Sequence, residues 1–252
     1  GPANTFYSFN PVEGFRGRLG GRTNPTFSKH LMLETYAAYG FKDEKLKGYL
    51  GAYYAFGKSH PIRYPINRLK VWYQNDVKIP GQNLKFIQED NFFLSFKRGV
   101  NNKMYYVKTA GIEYLKENYD GITYTFSAQN IRYAPAGALK FDYERQDGTF
   151  IQKEVITTEL GASFRYAPNE QFYQGATYRT PILNKYPIFT VDYAAGVGSF
   201  LSSQYDYHRV TLKAEKTFYL SPIGWSIVVM EGGRVFGNVP YPLLIAHRAN
   251  QT

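Results

Sequence analysis

Residues that could perform chemistry are few in this sequence and far apart. Ser59 precedes His60, as in a hydrolase that uses serine and histidine, but no nucleophile elbow surrounds the serine, and an ordinary loop pair is the favoured interpretation. The absence of cysteine excludes a disulfide framework, a thiolate metal site and a cysteine nucleophile. No two histidines have the spacing of a metal site, because they lie at His30, His60, His208 and His247.

Carboxylates on the polar side of alternating segments are the other candidates for catalysis, and they are Asp142, Glu144, Glu159 and Asp192. Two of them could act together as general acid and base, as in a glycosidase. The alternative is that inward carboxylates pair with inward cations, such as Arg165, Arg209 and Lys213. We favour this alternative and predict that the protein is not an enzyme and binds no cofactor.

A period of two residues marks the elements that must position these side chains. In residues 122–129, four apolar side chains alternate with three hydroxyls and an amide, and residues 156–166 and 209–215 alternate in the same way. This period is typical of strands whose two faces meet different media. No long window has the helical spacing of apolar residues. The sequence therefore predicts an all-β protein.

About twelve such segments follow one another without a linker or low-complexity stretch, so we predict one domain over residues 1–252. This gives about 21 residues per strand and connection, whereas soluble sandwiches repeat roughly every 8–12 residues. The predicted strands are 13–21, 30–39, 47–56, 68–75, 92–98, 104–115, 122–131, 139–145, 155–166, 187–195, 207–218 and 225–236.

Aromatic residues favour a transmembrane antiparallel β-barrel. The chain contains 24 Tyr, 19 Phe and 2 Trp, and pairs such as Tyr53-Tyr54 and Phe218-Tyr219 lie near predicted strand ends. In a membrane barrel, aromatic girdles lie at the two membrane interfaces, near the strand ends. The polar lumen of such a barrel accommodates inward charges of both signs. Because alternation alone does not reveal which medium meets the apolar face, a soluble sandwich or barrel stays the alternative.

The charge balance indicates a polyanionic partner. The net charge is +10, from 30 Lys and Arg against 20 Asp and Glu. The cations are spread singly along the chain, which argues against nucleic acid and leaves anionic lipid and lipopolysaccharide. No apolar stretch is long enough for a helical membrane span.

Four segments in order resemble a family of Gram-negative outer-membrane barrels that carry a carboxypeptidase-regulatory-like domain before the barrel. They are residues 10–24 (NPVEGFRGRLGGRTN), 36–43 (YAAYGFKD), 186–193 (YPIFTVDY) and 231–244 (EGGRVFGNVPYPLL), so the resemblance spans nearly the whole chain. The barrel of that family is similar to the bacterial surface-antigen superfamily of outer-membrane protein insertases. The superfamily's arginine-glycine-aromatic motif is not matched, because Arg16-Gly17-Arg18 lacks the aromatic residue.

The resemblance implies a sixteen-stranded barrel in the bacterial outer membrane, of which this chain is a fragment that is incomplete at its C-terminus. A true twelve-stranded barrel is the alternative. The implied role is assembly or translocation of proteins at the outer membrane, with other outer-membrane proteins or periplasmic chaperones as partners. The alternatives are a passive channel or receptor for anionic solutes and a structural anchor for a periplasmic domain.

The first predicted strand supplies candidate lumen and seam residues. We expect Arg16 and Arg18 to point into the lumen. In the resembled superfamily a weakly paired first strand lets the barrel open sideways. In this chain Gly14, Gly17 and Gly20 are the residues that would weaken the pairing of that strand. The alternative is that these glycines only ease the curvature of the barrel.

The segment Pro240, Tyr241, Pro242, Leu243 and Leu244 is the most unusual in composition. Two prolines remove hydrogen-bond donors, so the segment is not a central strand. We expect it to plug the lumen or rest on the barrel rim. It is either a docking element for a partner or client chain or, as the favoured interpretation, a packed connection between strands.

Overall fold

The computed structural model describes residues 6–57, 60–79, 103–145 and 148–245, without the side chains of residues 142–151. These ranges confirm the predicted all-β class, and their only helical turn, Tyr241–Leu243, is too short to span a membrane as a helix. Their strands are β1 (Tyr7–Asn10), β2 (Gly14–Arg22), β3 (Leu31–Gly40), β4 (Lys45–Ala55), β5 (Asn67–Lys78), β6 (Lys103–Glu117), β7 (Ile122–Gly137), β8 (Asp142–Arg145), β9 (Gly148–Ile151), β10 (Val155–Tyr166), β11 (Phe172–Gln174), β12 (Arg179–Pro181), β13 (Ile188–Gly196), β14 (Tyr207–Leu220) and β15 (Gly224–Phe236).

Eleven of these strands form one large antiparallel sheet in chain order. β1 to β7 lie side by side, and β10, β13, β14 and β15 follow. The other strands form two separate hairpins, β8 with β9 and β11 with β12, in the connections before β10 and β13. Because the strands of the large sheet lie side by side in chain order, antiparallel hairpin connections, two of them enlarged by a small hairpin, suffice to build it.

Ten of the twelve predicted segments are strands of the large sheet. The predicted strand at residues 92–98 lies outside the described residues. The segment 139–145 was expected in the same sheet, but β8 pairs locally with β9 instead, while β7 pairs directly with β10. The sequence did not reveal β1, β9, β11 or β12, because strands of three or four residues are too short to display a period of two.

The large sheet has two chemically different faces. Its outer face, the one that carries Leu50 and Leu212, exposes large apolar side chains, and these two leucines are 59% and 56% exposed. Its inner face carries charged side chains that are buried, such as Lys47 and Glu159, which are 2% and 3% exposed. This distribution is the reverse of that in a soluble protein.

The sheet curls around its inner face. Arg16 on β2 lies 2.8 Å from Asp76 on β5, although β3 and β4 lie between these strands. In a flat sheet, strands three positions apart would be roughly 14 Å from each other. Within the described residues β1 and β15 do not pair with each other, so the sheet has two free edges and closure into a barrel stays a prediction.

Candidate functional site

A buried ionic network on the inner face joins the first five strands. Arg16 contacts Asp76 at 2.8 Å and Glu13 at 3.4 Å. The Lys47 ammonium lies 2.7 Å from Glu13 and 2.6 Å from Asp43, and Glu13 is only 1% exposed. Two cations thus bridge three carboxylates, which come from two turns and from β5. The network, defined by these five residues, was not predicted, although the alternation places Arg16, Lys47 and Asp76 on polar faces.

The turn between β1 and β2 holds Glu13 in this network. The Asn10 side-chain oxygen accepts hydrogen bonds from the backbone N–H groups of Val12 (3.1 Å) and Glu13 (2.8 Å), while its amide donates to the Glu13 carboxylate at 2.6 Å. Gly14 follows with a φ of +64°, which a residue with a side chain rarely adopts. The sequence Asn-Pro-Val-Glu-Gly therefore encodes both the turn and the inward carboxylate.

A second buried cluster lies on β10 and β14. Arg209 contacts the Glu159 carboxylate at 3.0 Å, and Gln129 donates a hydrogen bond to the same carboxylate at 2.9 Å. Tyr207 also donates to Glu159, and its hydroxyl lies 3.2 Å from that of Thr157. The prediction that inward carboxylates pair with inward cations is confirmed for Glu159 and Arg209. Asp142 and Glu144 have side chains outside the described set.

A third group on the inner face combines cations with aromatic rings. The Arg18 guanidinium lies 3.9 Å from the ring centroid of Tyr36, and that of Arg68 lies 5.0 Å from the ring of Tyr53. The Lys70 ammonium lies 5.5 Å from the ring of Tyr53. We call this group the cation–tyrosine cluster, and its members are Arg18, Tyr36, Tyr49, Tyr53, Arg68, Lys70 and Trp72.

The three cations of the cation–tyrosine cluster differ from the other inner cations. Within the part of the chain that the structure describes, no carboxylate lies within 4.0 Å of Arg18, Arg68 or Lys70. Ring quadrupoles partly replace the missing counter-charges. Alternation in residues 68–72 places Arg68 and Lys70 on one face of β5. The sequence does not reveal that, among the described residues, neither cation has a carboxylate within 4.0 Å.

The predicted lumen and seam residues divide between the two faces. Arg16 and Arg18 lie on the inner face, whereas Gly17 lies on the outer face and Gly14, with its positive φ, is the first residue of β2. Gly20 faces inward against Tyr36, where an added Cβ would lie 2.6 Å from the Tyr36 Cβ.

The prediction that these glycines belong to the first strand is wrong. β1 precedes β2 and pairs with residues 14–17, so Gly14 and Gly17 lie inside the sheet. Beyond Arg18, β2 has no second partner strand among the described residues, which leaves Gly20 at the free edge.

The segment after β15 folds back over the inner face. Tyr241–Leu243 forms a 3-10 turn in which Pro242 and Leu243 are buried. Leu243 is 2% exposed and belongs to a hydrophobic cluster with Tyr105, Val155 and Tyr207 of the large sheet. Tyr241 and Leu244 are exposed. The segment thus covers one end of the inner face with its buried residues and presents two apolar side chains outward.

The β11–β12 hairpin lies over the opposite end. Arg179 donates two hydrogen bonds to the Glu117 carboxylate, at 2.6 and 2.7 Å, and its guanidinium lies 4.1 Å from the ring centroid of Phe172. Arg22 at the end of β2 donates to the backbone carbonyl of Thr177 in the same hairpin. A connection between β10 and β13 therefore reaches β6 and β2 across the mouth of the curled sheet.

His60 lies in the connection between β4 and β5 and is 5% exposed. Neither ring nitrogen has a hydrogen-bond partner among the described residues. Burial, with Arg63 and Arg22 nearby, lowers the pKa of its imidazole. Ser59 lies outside the described residues. Within the described ranges no three His, Asp or Glu side chains converge as a metal site.

Substitution of Arg16 tests the ionic network. In Arg16→Gln, Asp76 and Glu13 lose a cation in a buried setting, and we expect the free energy of unfolding to fall by about 3–5 kcal/mol. Arg22→Gln changes an exposed arginine on the same strand and face and should leave stability nearly unchanged. Denaturant unfolding in detergent micelles, followed by tryptophan fluorescence, measures both. Equal stability of the two variants would contradict a stabilising network.

Two glycines of β2 form a matched pair. In Gly20→Ala the new methyl group meets Tyr36 and should cost about 1–3 kcal/mol of unfolding free energy. In Gly17→Ala the methyl group has no atom within 4 Å, so we expect no loss. The same unfolding assay compares them, and a larger loss for Gly17→Ala would refute the packing described at Gly20.

Alanine substitutions at Leu243 and Leu244 compare a buried and an exposed leucine of the final segment. Leu243→Ala should lower the free energy of unfolding by about 2–5 kcal/mol, because it leaves a cavity beside Tyr207. Leu244 is 46% exposed, and its replacement by alanine should change stability little. Equal small effects would mean that the segment does not pack on the inner face.

Comparison with known proteins gives one match. Residues 1–239 match a family model described as "Family of unknown function (DUF5686) C-terminal domain". No curated protein and no solved structure matches the chain. The matched residues include every strand of the large sheet. The chain therefore belongs to the family described as the C-terminal domain of DUF5686.

Proposed function

We propose that this domain is part of a transmembrane β-barrel in the bacterial outer membrane and takes part in the assembly or translocation of other proteins there. The observation that carries the proposal is the reversed distribution of side chains on the large sheet. Apolar residues such as Leu50 and Leu212 are exposed on the outer face, and charged residues such as Glu13 and Lys47 are buried on the inner face. Lipid around the barrel would account both for the apolar outer face and for the charged inner face.

Strand length and aromatic placement support this reading. β2 to β5 contain 9, 10, 11 and 12 residues, and a transmembrane strand needs about 9–11. At one end of the strands Phe41 contacts the rings of Phe15 and Tyr39, with centroids 5.7 and 5.4 Å apart. At the other end Phe56 contacts the rings of Tyr54 and Tyr114, at 5.4 and 6.0 Å. Such bands fit the two interfaces of a membrane.

The two edge strands, β1 and β15, are the strands that must find partners if the sheet is to close into a barrel. Within a bilayer each unpaired backbone N–H or C=O group costs several kcal/mol, so β1 and β15 need partners there. The resemblance to the surface-antigen insertase superfamily implies a sixteen-stranded barrel, in which this sheet is the larger part. It also implies contact with other outer-membrane proteins and periplasmic chaperones, while the net charge and the spread of the cations along the sequence favour lipopolysaccharide over nucleic acid.

The edge strand β15 supports an assembly role. Trp225, Ile227 and Val229 on its inner face are apolar, although Lys213 and Glu215 on the inner face of neighbouring β14 are charged. All three apolar side chains are exposed. A long edge strand that is apolar on both faces over residues 227–230 offers backbone pairing and side-chain contacts to an incoming strand. We propose that β15 templates a strand of a client protein.

Site-specific photo-crosslinking tests this role. A photoreactive amino acid at Met230 on β15 should crosslink to other outer-membrane proteins during their assembly, because this residue lies on the free edge strand. Ala214 is its register partner on β14, on the same face and one strand farther in, and serves as the control. We expect the yield of client crosslinks to be at least tenfold lower from Ala214.

Crosslinks from Met230 that stay within the protein would contradict the templating role and indicate an edge closed by the protein's own strand. Depletion of the full protein, followed by quantitative proteomics of the outer membrane, tests the role in cells. An unchanged set of barrel proteins would contradict a role in bulk assembly.

A channel or receptor for anionic solutes is the second candidate function. The observation that favours it is a group of inner cations, Arg18, Arg68 and Lys70, that have no carboxylate partner in the part of the chain that the structure describes. A steady, anion-selective conductance in planar bilayers would support a channel over an assembly role. A protein with neither client crosslinks nor conductance would instead be a structural anchor.

A further inference from the structure

We propose that the cation–tyrosine cluster binds a phosphate group of a soluble solute, such as a sugar phosphate, on the inner face of the sheet. The inference does not rest on an assembly role. It requires only that the inner face is folded and open to small solutes.

Charge balance is the first argument. Several other inner cations have a carboxylate within ion-pair distance: Arg16 has Asp76 at 2.8 Å, and Arg209 has Glu159 at 3.0 Å. Arg22, at the exposed end of β2, instead donates a hydrogen bond to the Thr177 carbonyl. In the described residues the three cations of the cation–tyrosine cluster have no carboxylate within that distance. A partly buried cation without a counter-charge is costly, and an anionic ligand removes that cost.

The nearby carboxylates do not supply the missing charge. Glu34 accepts a hydrogen bond from the Tyr53 hydroxyl at 2.8 Å, and Tyr53 in turn contacts the hydroxyl of Tyr49. Glu113 is the register partner of Lys70 on β6, yet its carboxylate is not within 4.0 Å of the ammonium. A third carboxylate, Asp76, accepts a hydrogen bond from the Tyr36 hydroxyl, but Arg16 already pairs with it at 2.8 Å. Three cations against Glu34 and Glu113 therefore leave the cluster with a positive charge.

Free hydrogen-bond donors are the second argument. Arg68 donates one Nη1 hydrogen bond to the backbone carbonyl of Pro61 at 3.1 Å, while its buried Nε has no partner among the described residues. Arg18 and Lys70 contact rings, which leaves their N–H groups available for oxygen acceptors. Guanidinium groups match phosphate oxygens in geometry and charge.

The aromatic rings of the cluster indicate which chemical group the ligand carries besides the phosphate. Tyr36 and Tyr49 stack with centroids 5.9 Å apart, and Trp72 lies 4.6 Å from the Lys70 ammonium. Flat aromatic surfaces beside the cations suit a sugar ring attached to the phosphate. Because the cluster lies on the inner face, away from the apolar outer face, a soluble phosphate compound is favoured over the headgroup of a bilayer lipid.

Titration of the full protein in detergent micelles tests the site. The Trp225→Phe background leaves Trp72 as the only tryptophan, so its fluorescence reports on the cluster. We expect saturable binding of inorganic phosphate and tighter binding of a sugar phosphate. Lys70→Met and Arg18→Met should each weaken binding at least tenfold. Lys108→Met removes one charge from an exposed outer position on β6 and should leave binding unchanged.

Arg18→Lys keeps the charge and should retain part of the binding, which separates loss of the site from loss of the fold. Absence of saturable phosphate binding, or an equal loss in Lys108→Met, would overturn the proposal. Binding to vesicles of anionic lipid that Lys70→Met does not weaken, without binding of soluble phosphate, would also overturn it. Failure of the Met230 crosslinks would leave these results unaffected.

Discussion

The contact of Arg16 with Asp76 and Glu13 is the interaction on which the rest of the structure depends. It joins strands β2 and β5 on the inner face at 2.8 Å and can form only if the sheet between them is strongly curved. Lys47 adds the β3–β4 turn through Asp43. Once the sheet curls in this direction, the polar residues of each alternating strand meet one another, and the apolar residues of the same strands point outward.

This arrangement needs a medium that accepts apolar surface. Buried ion pairs are expensive unless each charge finds a partner, and most inner cations do. On the outer face, apolar side chains such as Leu50 and Leu212 are more than half exposed, and this exposure is unfavourable in water. A bilayer resolves both conditions at once, and it also accounts for the ring contacts around Phe41 and Phe56 at opposite strand ends. In the proposed barrel, the edge strand β15 and the inner cations that have no carboxylate partner among the described residues would be departures from a regular wall, and departures of this kind indicate function.

Local pattern predicted the strands well because a period of two is a property of neighbouring residues. It also predicted that Glu159 would pair with an inward cation, because both faces of β10 and β14 can be read directly. Contacts between distant segments were not predictable in this way. Arg16 and Asp76 are 60 residues apart, and Leu243 meets Tyr105 only after the last strand has turned back. That no carboxylate of the described residues lies within 4.0 Å of Lys70 depends on the positions of all its neighbours, which no sequence period records.

The central claim is that the outer face of the sheet meets lipid. The chain has no cysteine, so single cysteines at adjacent positions, Phe126 with Thr125 and Leu212 with Thr211, can carry nitroxide spin labels without interference. In bilayers of outer-membrane lipids, we predict that labels at Phe126 and Leu212 are more accessible to oxygen, and labels at Thr125 and Thr211 to a water-soluble nickel complex. Equal accessibility of neighbouring positions, or outer labels that meet the nickel complex more readily, would contradict a membrane-facing outer surface.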